Sequence, residues 1–157
     1  MRRKKQLLSK EETIEILNSC TAGVLGVIGD DGYPYTVPVS YSLEDNKIFF
    51  HSAVKGHKID SILKNEKVSF TVIEKDEVIQ ETFTTHFKSV IIFGRARMLT
   101  EDSEKQFALG SLVKKYSPDF IEEGQEEIKK DWDRVNLIEI KIEHLTGKAA
   151  IEIINER

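Results

Sequence analysis

Apolar and polar positions follow two rhythms along this chain, and the changes between them mark its elements. Near the start, Ile14, Ile16 and Leu17 form one apolar helical face that ends near Asn18. Ser9-Lys-Glu-Glu12 precedes it in the S-x-x-E form of a capping box, which satisfies backbone donors in a first turn. From Thr21 the pattern becomes Ala22, Val24, Leu25, Val27 and Ile28, a mostly apolar strand closed by the turn Gly29-Asp-Asp-Gly32. Residues 33–42 read as the returning strand, 43–47 as the next turn and 48–51 as a third strand. The first third of the chain is therefore predicted to be a helix followed by a β-meander.

Residues 56–65 fit a short helix with Ile59, Ile62 and Leu63 on one side. Val68, Phe70 and Val72 alternate as a strand over 67–74, and a longer strand covers 89–99. Thr100-Glu-Asp-Ser103 is predicted to cap a helix carrying Phe107, Leu109, Leu112 and Val113. Pro118 suits a helix start, so a second helix is predicted through Trp132. Residues 135–142 alternate strictly as a strand; Thr146-Gly147 reads as a turn, and 149–154 as a last short strand. Six or more mainly antiparallel strands with inserted helices predict an α+β fold, a β-barrel with flanking helices, and exclude an alternating Rossmann sheet.

Length and charge narrow the function classes. The 157 residues are most simply one domain, with residues 1–8 as a basic, solvated tail containing Arg2, Arg3, Lys4 and Lys5. A net charge of −4 argues against a nucleic-acid partner, and no apolar run has the length of a membrane span. The start MRRKKQLLSKEE meets charges where the apolar core of a signal peptide should lie. Cys20 is the only cysteine, which excludes an intrachain disulfide and a cysteine metal cluster. A cytoplasmic setting is expected, and no metal site.

One stretch carries most of the candidate chemistry. His51-Ser-Ala-Val-Lys55-Gly56-His57-Lys58 lies between a strand and a helix. A helix starting at Gly56 offers unpaired N–H groups and a positive dipole end. Lys55 and Lys58 add point charges, His57 a donor, Ser52 a hydroxyl, and Gly56 removes the Cβ that would hold an anion off the backbone. A phosphate monoester matches this set; a solvated basic turn is the plain alternative. The preceding strand, Tyr35-Thr-Val-Pro38-Val39-Ser40-Tyr41, holds a proline that belongs at a sheet edge. Its free backbone groups could pair with a flat heteroaromatic edge such as a flavin, or face water or another subunit.

The sequence resembles the pyridoxamine 5′-phosphate oxidase-related FMN-binding proteins, in the branch similar to the NimA nitroimidazole-resistance proteins. The resemblance covers nearly the whole chain. It rests on the MRRK start, G-V-L-G-V-I-G-D-D-G-Y-P-Y at 23–35, V-P-V-S-Y at 37–41 and F-F-H-S-A-V-K-G-H-K at 49–58. V-S-F at 68–70, S-V-I-I-F-G-R-A at 89–96 and L-T-G-K at 145–148 continue it. The resemblance implies a split β-barrel homodimer with FMN in clefts at the subunit interface. Lys55, Gly56, His57 and Lys58 would then hold the FMN phosphate, with Ser52 nearby. Pro38, Val39, Ser40 and Tyr41 would line the ring system, with His51 beside it. Ser89, Val90 and Trp132 would supply further walls, partly from a partner chain; core packing is the alternative for Trp132. His86 and His144 have no motif support and are expected at the surface.

Departures from the family limit what carries over. True pyridoxamine phosphate oxidases have an R-x-V-L-L-K strand and a C-terminal arginine motif that reads the substrate phosphate. Here the strand is Thr36-Val-Pro-Val-Ser40 and the end is Ile151-Glu-Ile-Ile-Asn-Glu-Arg157, so vitamin B6 oxidation is not expected. The expected function is an FMN-dependent oxidoreductase, of nitroreductase or flavin reductase type. It would pass electrons from a small-molecule donor to a small flat acceptor, which the branch resembled implies is a nitroaromatic, with His51 or Tyr41 as proton donor. A flavin or haem carrier or sensor without turnover is the second reading, and a cofactor-free interaction module the third.

Overall fold

Ser9 caps the first helix as its sequence predicts. Its hydroxyl accepts the Glu12 N–H at 3.1 Å, and the Glu12 carboxylate accepts the Ser9 N–H at 2.8 Å. The computed structural model describes residues 4–155, and Arg2, Arg3 and Arg157 lie outside the described residues. Helix α1 is Lys10–Ser19. Lys4–Gln6 form a 3-10 turn, Leu7 bridges Lys148, and the Leu8 N–H donates to the Gly147 carbonyl at 3.1 Å. Residues 4–8 therefore do not form the solvated tail the charge pattern suggested. Leu8 is buried with the main core and draws the segment in.

The strands are β1 (Ala22–Ile28), β2 (Pro34–Ser40), β3 (Ser42–Glu44), β4 (Lys47–Ala53), β5 (Lys67–Ile79), β6 (Thr84–Met98) and β7 (Val135–Ala149). All pairings are antiparallel, in the order β2-β1-β5-β6-β7-β4-β3. The two ends of that order, β2 and β3, are separated along the chain by Tyr41 alone. The sheet must therefore curl until its ends meet, which makes it a barrel. The sequence reads one strand over 33–42. The structure breaks it at Tyr41, where the chain passes from one edge to the other.

Inside the barrel lie Leu25, Val27, Ile48, Phe50, Phe70, Val72, Val90, Ile92 and Ile140. Burying such a set supplies the main driving force for the fold. Helix α1 adds Ile16 and Leu17 to this core, and α2 (His57–Lys64) adds Ile59 and Ile62. A second cluster forms where α3 (Asp102–Tyr116) covers the outer face of β4 and β7, through Phe49, Leu99, Ala108, Leu112 and Leu137. With both faces covered, residues 137–140 of β7 are all buried, Glu139 included. Its carboxylate is held by Lys47 at 2.9 Å and Arg97 at 3.1 Å.

Three further predicted elements differ. Helix α4 is Ile121–Asp131; Pro118 sits in the preceding turn, closed by Phe120 N–H to the Ser117 carbonyl at 3.0 Å, and does not start the helix. Gly147 is not in a turn but inside β7, because a Cβ there would collide with the Thr13 hydroxyl and Leu8. The glycine permits the close approach of α1 and the N-terminal segment. The final strand is instead the short helix α5 (Ile151–Asn155). Strands β5 and β6 also run on as a two-stranded arm to Ile79 and Thr84, with Phe83 96% exposed at its tip.

Among the described residues no helix is long and apolar enough to cross a membrane.

Candidate functional site

Strand β4 sorts its residues by alternation. Ile48, Phe50 and Ser52 point into the barrel, and His51 and Ala53 point outward. Ser52 is therefore buried and does not join the basic loop beyond it, a correction to its expected place near a phosphate. His51 is exposed and opens onto a cavity of about 620 Å³ between the barrel, α3 and α4. Ser40, at the end of β2, lies on the same wall. Leu109, Leu112, Val113, Phe120, Ile128 and Val135 supply its apolar lining.

Beyond Ala53 the chain turns through Val54, Lys55 and Gly56 into α2. Gly56 has φ 150°, in a region that L side chains rarely adopt, and a Cβ there would meet nothing within 4 Å. The helix start is thus open, with no side-chain cap, and the His57 and Lys58 N–H groups precede any intrahelical acceptor. Lys55 is exposed and Lys58 half-buried; among the described residues neither is held in an ion pair. His57 is turned elsewhere, its ring edge-on to Tyr35 at 4.6 Å and close to Gly29 on the β1–β2 turn. Lys64, at the other end of α2, is paired with Asp30 of that turn at 2.6 Å. The helix is thereby fixed against the barrel while its N-terminus stays free.

Two residues that sequence reasoning missed hold this site in place. Asn136, opposite Ser52 in the β4–β7 ladder, donates its side-chain N–H to the Val54 carbonyl at 2.9 Å and anchors the basic loop. Tyr116, at the end of α3, accepts the Tyr41 N–H at 2.8 Å. Its own proton lies between the carbonyls of Thr21 and Tyr41, at 2.5 and 2.8 Å. Neither residue belongs to a motif; both act on partners far away in the sequence.

The remaining expected residues separate. Tyr41 is fully buried, its phenol donating to the Leu17 carbonyl at 2.8 Å and its ring lying under the Lys115 ammonium at 3.9 Å. Burial raises its phenol well above the usual tyrosine range. Both its backbone groups are taken by Tyr116, so Tyr41 is neither a proton donor nor a ring-lining residue. Pro38 stands on β2, an edge strand paired with β1 alone, and faces outward with Ser40; Val39 turns inward. Val90 is buried in the core, and Ser89 sits beside Lys148 on the outer sheet face; neither reaches the cavity within this chain. Trp132 follows α4 and faces α3 in a separate hollow with Ser103 and Gln106, near the Lys105 ammonium at 5.6 Å. Among the described residues no His, Cys, Asp and Glu cluster has metal-binding geometry.

Comparison with known proteins places this geometry. The profile described as "Pyridoxamine 5'-phosphate oxidase" matches residues 9–149. A candidate 5-nitroimidazole antibiotic resistance protein from Bacteroides thetaiotaomicron shares the fold, with a TM-score of 0.75 at 20% identity over 92% of this chain and 86% of that one. An FAD-binding protein from Mesorhizobium loti gives a TM-score of 0.66 at 25% identity, over 92% and 97%. An FAD and haem binding protein from Mycobacterium smegmatis gives 0.77 at 15% identity, over 94% and 74%. No curated protein sequence matches.

Proposed function

This chain belongs to the pyridoxamine 5′-phosphate oxidase family, and on that premise we propose that it is an FMN-dependent oxidoreductase acting as a homodimer. The observation that carries the reading is the open start of α2. Two backbone N–H groups and a glycine with no Cβ to intrude lie there, flanked in sequence by Lys55 and Lys58, neither of them in an ion pair among the described residues. That donor set fits a phosphate dianion. The loop lies directly beyond the outer face of β4, so a ligand anchored by its phosphate would extend along His51 and Ser40 toward the apolar cavity. The FAD-binding relative from Mesorhizobium loti supports a flavin over other phosphate esters.

A bound flavin supplies the electron transfer itself. The chain's own residues bind, orient and shield. Lys55 and Lys58 neutralise the phosphate, and Asn136 fixes the loop that carries it. Leu112, Val113 and Phe120 exclude water from one side of a flat acceptor. His51, on the cavity wall, can hold a proton for the acceptor at its exposed ring. A flat nitroaromatic suits that apolar space, and the missing Arg and Lys in Thr36–Ser40 argue against a second phosphate on the substrate.

The homodimer is supported by the outer face of the sheet. Val24, Ile73, Ile91 and Phe93 are exposed there on adjoining strands, Phe93 at 55%. An exposed apolar face of this kind suits contact with a second copy of the chain. Ser89 lies on the same face, where a second copy would bring it to a shared site.

A haem reading has one point in its favour: His51 is a ring-nitrogen ligand on the wall of an apolar cavity. Absorbance separates the two. The protein as purified, or after addition of FMN, is expected to show flavin bands and to quench flavin fluorescence on titration. A Soret band in their place would favour haem, and a colourless protein that leaves FMN fluorescence unchanged would exclude both.

A further inference from the structure

The rim of the cavity differs from its walls. Glu123, Glu127 and Asp131 recur at every fourth position of α4 and all line the opening, with Gly124 and Ile128 between them. Among the described residues no lysine or arginine lines the cavity. Glu127 and Asp131 are paired with Lys130 at 3.2 Å and Arg134 at 3.3 Å, both highly exposed and so readily exchanged for another cation. Glu123 has no ion-pair partner among the described residues. Gly124 packs so tightly on Val113 that a Cβ would sit 2.5 Å from that side chain, which draws this acidic face down onto α3 and over the apolar floor.

From this arrangement we propose that the cavity selects a cationic ligand: a flat apolar body carrying a protonated amine or similar positive group. The body packs on Leu112, Val113, Phe120 and Ile128, and the cation meets the three carboxylates at the mouth. The site is then charge-divided. Lys55 and Lys58 take the anionic tail of the cofactor at one end, and α4 takes the positive end of the acceptor at the other. Anionic acceptors of the same shape are rejected by the same rim. The proposal rests on the flavin reading in treating the cavity as the acceptor site, but its test reads binding alone.

The experiment compares three probes of one shape: 1-naphthylmethylamine, protonated at neutral pH, 1-naphthylmethanol and 1-naphthoate. Each is titrated calorimetrically into the full-length protein, as purified and after FMN addition, at low salt. The amine is expected to bind about tenfold tighter than the alcohol, with the naphthoate weakest, as several exposed carboxylates acting together allow. The triple variant E123Q/E127Q/D131N should bring amine and alcohol within about twofold while keeping the fold and the FMN affinity. Added salt should shrink the preference in the unsubstituted protein. Equal binding of amine and alcohol, no binding of any probe, or a preference that survives the triple variant would overturn the proposal. A protein that shows the charge preference but binds no flavin would refute the flavin reading and leave this one standing.

Discussion

Tyr116 holds the backbone of Tyr41 from both sides: its phenol oxygen lies 2.8 Å from the Tyr41 nitrogen and 2.8 Å from the Tyr41 carbonyl oxygen. Tyr41 is the single residue between β2 and β3, so this contact fastens the seam where the barrel closes. The same tyrosine lines the cavity beside Ser40. Packing and site geometry are thus joined in one side chain. Tyr116→Phe keeps the ring but leaves the Tyr41 N–H without its acceptor. Stability should fall by about 1–3 kcal/mol, the usual cost of stranding a half-buried backbone donor. Denaturant unfolding measures this, and a variant as stable as the parent would show that the seam does not depend on the hydroxyl.

Gly147→Ala tests a glycine that the sequence presents as a turn. The added Cβ would strike Thr13 and Leu8, so either α1 or the N-terminal segment must shift. A loss of about 1–3 kcal/mol is expected from overpacking at this seat. Thermal unfolding of the variant reads it directly, and no loss would mean that residues 4–8 are not seated as described.

These two cases show what the sequence makes legible. The helix cap at Ser9, the first hairpin, the basic junction and the barrel class follow from local spacing and alternation, because neighbours in sequence are the partners. The predicted meander does not form, since β2 and β3 lie at opposite ends of the sheet and β4 pairs with the distant β7. Tyr41 and Gly147 were misread because their partners lie far along the chain: Tyr116 for one, Thr13 and Leu8 for the other. The same distance hid Asn136, whose amide holds Val54. Ser52 looked like a phosphate donor by proximity, yet strand alternation turns it inward. The arm over 75–88 carries mixed polar residues with no clean period, so pattern alone could not separate it from a loop.

Glu139 should give the protein a distinctive acid limb. Burial pushes its carboxyl up, but hydrogen bonds from Lys47 and Arg97 outweigh this and hold it below the ordinary 4.5. A group depressed in the folded state stabilises fully above its unfolded value. That stabilisation is lost as pH falls from near 4.5 through the lower folded value. Glu139→Gln should cost about 1–2 kcal/mol at neutral pH and flatten the loss below pH 4.5. Parallel acid unfolding profiles for variant and parent would contradict the assignment.

The outer sheet face gives a test of assembly. Phe93→Asp places a charge at the centre of the exposed apolar patch without touching the barrel interior. The parent should run as a dimer by light scattering and the variant as a folded monomer. A parent that is monomeric at micromolar concentration would remove the proposed dimer.

The phosphate cradle at the start of α2 is tested most directly by comparing two flavins that differ only in the phosphate. FMN and riboflavin are titrated against the parent and a Lys55→Ala/Lys58→Ala double variant, with quenching of flavin fluorescence as the signal. Neither lysine has an ion-pair partner among the described residues, so the fold should be untouched by their loss. The account predicts that the parent prefers FMN strongly. The double variant should lose about 10–100-fold in FMN affinity, as removal of two charge-assisted bonds implies, while its riboflavin affinity stays the same. Unchanged FMN affinity, or an equal loss for both flavins, would contradict it.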